Sequence, residues 1–138
     1  MKTFLSLTTS PTRIHHLHKL LSDIDIDLFD EVVINIPKKF GRNGSSYVIP
    51  KELKNMKKVK LNVMKKDLGP ISKIFSTIKY AKNSNDIIIS IDDDIKHDPS
   101  LFPLLITTYT GRDVIVPTTD LSETTVPFFK SVTYVFSL

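Results

Sequence analysis

Three consecutive aspartates, Asp92, Asp93 and Asp94, follow the run Ile87 to Ile91, in which all but Ser90 are isoleucine. Like charges this close repel and raise one another's pKa, so a fold carries them mainly where a cation neutralises them. In an extended chain Asp92 and Asp94 fall on one side and Asp93 on the other. Two carboxylates on one side suit a hard divalent cation, Mg²⁺ or Mn²⁺, held by oxygen alone. Such an ion keeps waters and takes its other ligands from substrate phosphates. The plainer reading is a solvated acidic turn in which Asp94 or Asp98 caps the next helix. The position of the motif, at the end of what reads as the most buried strand, favours the metal. An EF-hand loop fits poorly, because Lys96 takes its fifth position and no glycine follows.

The aspartates need a scaffold, and the apolar pattern supplies one. Thr3 to Leu7 reads as a strand. Ser10 is a good N-cap and Pro11 suits the first helical position, opening a helix with Ile14, Leu17, Leu21 and Ile24 on one face. Glu31 to Ile36 is a second strand, residues 37 to 52 a loop, and Val59 to Met64 a third strand. Pro70 opens a helix whose expected inner face is Ile71, Ile74, Phe75 and Ile78. Residues 86 to 91 form the fourth strand. Asp98 caps and Pro99 begins a further helix with Leu101, Leu104 and Leu105 inward, and Asp113 to Val116 is a fifth strand. The alternation predicts an α/β fold, a mixed but mainly parallel sheet flanked by helices, in a single domain over 1–138. Ligands of such sheets bind beyond the carboxyl ends of the strands. TTSPTR, KKDLGP and the aspartates all fall at such ends.

A length of 138 residues suits one domain with a real core, and 41% hydrophobic with 25% charged residues is ordinary for a soluble globular chain. The net charge of +4 suits an anionic ligand such as a nucleotide. The absence of cysteine removes disulfides, thiol nucleophiles and cysteine metal sites, and fits a reducing compartment. The apolar stretch in MKTFLSLTTSP is too short for a signal-peptide core, and no run reaches the length of a membrane span. A cytoplasmic location is therefore expected, in the host if the chain is viral.

The set LSLTTSPTRI, INIPKKFGRNGSSYVIPKEL, DLGPISKI and IISIDDDIKHDP resembles small glycosyltransferases of the GT-A fold, which occur in large DNA viruses and in bacterial surface-polysaccharide clusters. The resemblance covers roughly residues 3 to 118. It implies a Rossmann-like GT-A fold, a UDP- or GDP-sugar donor, a glycan or glycoprotein acceptor, and Mn²⁺ or Mg²⁺ held by the aspartates. On this match Asp94 ligates the metal directly and Asp92 contacts the ribose or reaches the metal through water, with Asp93 also at the donor. Thr8, Ser10 and Arg13 match the first nucleotide-binding loop. Asp67, Gly69, Pro70 and Lys73 match the segment that packs against base and ribose. The match departs from the family where Lys96-His97-Asp98 stand before Pro99, and in a short acceptor half. There Asp120 and Glu123 are the candidates for the catalytic base, and no histidine follows Asp113. That half predicts a truncated domain, a split gene product or a minimal enzyme. The chain ends in TVPFFKSVTYVFSL, a tail that either closes the sheet or lacks the segment that would cover it.

Two other readings stay open. One is a binding module of this fold that holds a sugar nucleotide without transferring it. The other is a phosphatase of the haloacid-dehalogenase type, with Asp92 as nucleophile. That motif usually opens its domain, and here too little chain follows it for the remaining catalytic loops. His15, His16 and His18 read as surface residues. The lysine-rich stretch from Lys51 to Lys66 lacks interleaved aromatics, so it reads as a solvated face and not as a nucleic-acid surface.

Overall fold

The computed structural model describes residues 1–108 and, beyond them, the backbone of residues 114–118 and 131–137. Six strands form one sheet: β1 (Thr3–Thr8), β2 (Glu31–Pro37), β3 (Val59–Met64), β4 (Ile87–Ser90), β5 (Val114–Thr118) and β6 (Ser131–Ser137), in the order β3-β2-β1-β4-β6-β5. The first four are mutually parallel, with Leu5 of β1 opposite both Val32 and Ile89. β6, from the apolar tail, runs antiparallel between β4 and β5 and so joins the sheet, with β5 at its edge. The architecture is the expected Rossmann-like α/β fold.

Ile87, Ile88 and Ile89 are all buried, as are Val32, Val33 and Ile34 beside β1. A strand covered on both faces needs no polar alternation, which is why its sequence reads as one apolar run. Each such side chain stabilises the fold by roughly 1.5–3 kcal/mol relative to exposure. On one face Leu5, Leu7, Ile34 and Ile89 pack against helices α1 (Leu17–Ser22), α2 (Lys51–Asn55) and α4 (Leu101–Thr108), through Leu17, Leu21, Leu53, Phe102 and Leu105. The other face, with Phe4, Val33 and Ile88, is covered by the short α3 (Ser72–Phe75) and the 3-10 turn Ile78–Tyr80.

Several local expectations are corrected. Ser10 does not cap a helix with its side chain. The chain turns after it, with the Arg13 and Ile14 N–H groups donating to the Ser10 carbonyl, and α1 begins only at Leu17 after a 3-10 turn. In α4 the inward residues are Phe102 and Leu105, while Leu104 is exposed. Asp98 accepts from the N–H and hydroxyl of Ser100 in a turn just ahead of α4, which begins at Leu101 and not at Pro99. The short α2 lies at the end of the expected loop.

α3 departs from its expected apolar stripe in part: Ile78 packs against the Phe4, Val33 and Ile88 cluster, but the rest is turned. Ile71 and Phe75 are exposed, and Ser72, Lys73 and Thr77 are buried. The cause lies in the sheet, whose face here presents Ser6, Asn35 and Asn62. Buried amides and hydroxyls are costly unless hydrogen-bonded. Asn35 Nδ2 donates to Thr77 Oγ1 (2.8 Å) and to Ser6 Oγ (3.1 Å), and Asn62 Nδ2 donates to Asn35 Oδ1 (2.7 Å). Ser6 Oγ in turn donates to the Lys73 carbonyl. Polar partners on α3 are what this face requires.

Candidate functional site

β1 lies between β2 and β4, and the order of connection reverses there: the chain builds outward through β2 and β3, then returns to the far side of β1 as β4. Such a switch point opens a crevice beyond the carboxyl ends of the two strands. The loop after β1 carries Thr9, Ser10 and Arg13, and the turn after β4 carries the aspartates. Thr9 Oγ1 donates to Asp93 Oδ2 (2.5 Å), and Arg13 Nε donates to the same oxygen (2.9 Å). The Asp93 side chain is only 5% exposed, so Arg13 neutralises a buried carboxylate that the Thr9 hydroxyl also hydrogen-bonds. Arg13 Nη1 also stands 3.8 Å from Asp94 Oδ2. Burial works against the charged guanidinium, yet the bond to Asp93 and the charges of Asp93, Asp94 and Asp92 raise the Arg13 pKa above its ordinary value.

The alternation expected of the three aspartates fails because β4 ends at Ser90 and Asp93 and Asp94 lie in a turn. Asp93 and Asp94 therefore share Arg13, whereas Asp92 pairs with Lys73 on α3. Asp94 is the most open, with its side chain 55% exposed.

A cavity of about 460 Å³ opens in front of Arg13. Thr8, Ser10, Asp67, Gly69 and Pro70 line it, so the first loop and the segment after β3 do come together. Asp67 fastens its rim, with Oδ2 accepting from the Gly41 N–H and Oδ1 from the Gly69 N–H, each at 2.7 Å. Gly69 has φ +66°, in the left-handed region that favours glycine. A Cβ on Gly41 would stand 2.9 Å from Asp67 Oδ2, so any larger residue there would make the Asp67 side chain shift.

Phe40, Arg42 and Tyr47 also line the cavity, and the sequence reading missed them. The Tyr47 hydroxyl donates to the Thr9 carbonyl (2.9 Å), and its ring meets Phe40 edge to face at 6.5 Å. Burial, helped by the charges of Asp67 and Asp93, pushes the Tyr47 pKa up to about 12, so it remains a donor. Lys73 and Asp92 do not line this cavity. Asp93 and Asp94 line a second one of about 330 Å³, on the other side of Arg13, with His16, Lys19 and Leu20. His97, read from the sequence only as a departure, is buried against Phe102, with Nε2 3.2 Å from the Asp92 carbonyl. Burial holds its pKa below the ordinary histidine value. Of the lysine-rich stretch, Lys58 caps the carbonyls of Asp27 and Phe29, and Lys60 sits 4.3 Å over the Tyr80 ring. Asp120 and Glu123 lie outside the described residues.

A divalent ion needs hard oxygen donors, and Asp92 and Asp94 offer them. Among the described residues no three acidic or histidine side chains gather as a metal cage. Asp92 faces Lys73 and Asp94 faces Arg13, so the two carboxylates are held by different cations. Also among the described residues, no helix is long and apolar enough to cross a membrane.

No family model matches the chain, and no curated protein matches it. Among solved structures it is similar to 2-C-methyl-D-erythritol 4-phosphate cytidylyltransferase of Francisella tularensis, with a TM-score of 0.53 at 12% identity, over 99% of this chain and 73% of that one. At this identity the likeness establishes the fold, and the fold is that of a Rossmann-like α/β sheet.

Proposed function

We propose that the cavity in front of Arg13 takes the nucleotide of a UDP- or GDP-sugar and that the chain is a metal-dependent glycosyltransferase. The observation that carries this reading is the shared arginine. Arg13 forms the wall of a cavity at the switch point and at the same time holds the aspartate turn. A diphosphate lying along that wall would meet a planar donor suited to its oxygens. Phe40 and Tyr47 offer ring surface to a base, and the backbone at Gly69 allows close approach. Mg²⁺ or Mn²⁺ on Asp92 and Asp94 would stabilise charge on the leaving diphosphate. Asp120 or Glu123 is the candidate to accept the acceptor's proton. The acceptor, a glycan or glycoprotein, is inferred from the sequence resemblance alone.

Incubation with UDP- and GDP-sugars, Mn²⁺ and a mixture of glycan acceptors tests this. The expected product is free nucleoside diphosphate together with a glycosylated acceptor. Binding without turnover would instead indicate a nucleotide-sugar-binding module. The likeness to a cytidylyltransferase favours one second reading, nucleotidyl transfer, which would release pyrophosphate from a nucleoside triphosphate.

A further inference from the structure

Lysine is almost never fully buried unless paired, yet the Lys73 side chain is 8% exposed. Its ammonium pairs with Asp92, and among the described residues no other carboxylate lies within ion-pair distance of it. Its backbone is held as firmly, since its carbonyl accepts from Ser6 Oγ, which is itself 2.6 Å from Thr77 Oγ1. The lysine therefore sits on one of the two carboxylates that a metal would use, and the packing of α3 keeps it there.

We infer that Lys73 is a resident counter-cation of Asp92 and hinders a divalent cation from reaching it until substrate phosphate draws the ammonium away. The inference rests on the proposed role of Asp92 and Asp94 at a metal and a diphosphate. A buried ammonium gives up its carboxylate only at a large cost unless another anion replaces it, because an unpaired buried charge is strongly disfavoured. A divalent cation offers no such partner and repels the ammonium. A diphosphate supplies one and brings oxygen ligands for the metal at the same time. Metal then enters with the nucleotide or after it. Without nucleotide, Asp94 is the more open of the two, and Arg13 stands beside it.

Mn²⁺ binding to the nucleotide-free chain, read from the electron paramagnetic resonance signal of the free ion, tests the inference. Lys73→Met is expected to bind Mn²⁺ about tenfold or more tightly than wild type. Lys73→Arg, which keeps the cation, is expected to remain as weak as wild type. Adding Asp92→Asn to Lys73→Met should remove the gain. Should Lys73→Met fail to fold by circular dichroism, Lys73→Gln, which keeps a polar tip in the buried site, carries the same expectation. Equal Mn²⁺ affinity in wild type and the folded neutral variant would overturn the inference. Because no nucleotide is used, that outcome is distinct from a failure of nucleotide sugars to bind, which would count against the proposed function.

Discussion

At the scale of single residues, the carboxylates divide by their partners. Asp93 accepts from the Thr9 hydroxyl and pairs with Arg13, and Asp92 pairs with Lys73. Asp86, at the opposite end of β4, is buried and accepts from the N–H groups of Lys2, Lys82 and Asn83. The Lys2 N–H is the largest of the influences that hold its pKa down to about 2, against an ordinary 3.8. A carboxyl with a depressed folded pKa stabilises the fold fully above its unfolded value, and that contribution is lost as pH falls through the folded value. Stability should therefore decline between about pH 4 and pH 2. Asp86→Asn should be less stable at neutral pH and show a shallower decline across that window in urea unfolding. The same slope in both proteins would mean that Asp86 has no part in acid sensitivity. The aspartate motif was legible in the sequence because three like charges after an apolar strand are chemically unusual. Tyr47 was not, because it reaches Thr9 from a loop without periodicity, across 38 positions of chain.

Among the elements, the strands were the most legible and α3 the least. β1 to β5 follow from their β-branched runs, with observed and expected limits differing by a residue or two, whereas β6 was expected only as part of an apolar tail. The stripe Ile71, Ile74, Phe75 and Ile78 predicts an apolar contact, which Ile78 makes, but the buried Ser72, Lys73 and Thr77 face Ser6 and Asn35, and side-chain periodicity carries no information about the partner surface. Two substitutions separate these views. Thr77→Val leaves buried Ser6 and Asn35 groups short of a partner and should cost about 1–3 kcal/mol. Phe75→Ser, at a side chain 66% exposed, should change stability by no more than about 0.5 kcal/mol. Chemical denaturation of the two variants reads both values. A large loss for Phe75→Ser with none for Thr77→Val would restore the apolar inner face. α3 also carries Lys73, so the polar docking that turns the helix holds the cation at Asp92.

For the whole molecule, the topology gathers segments far apart in sequence at one edge of the sheet. TTSPTR, the Asp67 to Pro70 segment and the aspartate turn meet around Arg13, as their places after β1, β3 and β4 led one to expect. Thermal unfolding with and without a nucleotide sugar puts the central claim, a donor held at that edge, to its most direct test. A ligand that binds only the folded state at a hundredfold excess over Kd stabilises by about 2.7 kcal/mol. For a chain of this size that is a rise in Tm of roughly 5–12 °C. Such a rise is expected with a UDP- or GDP-sugar plus Mn²⁺, and a much smaller one with the same compound under chelator. Equal shifts under both conditions would contradict a metal-bridged diphosphate at the aspartates, and no shift with any nucleotide sugar would contradict the donor site itself.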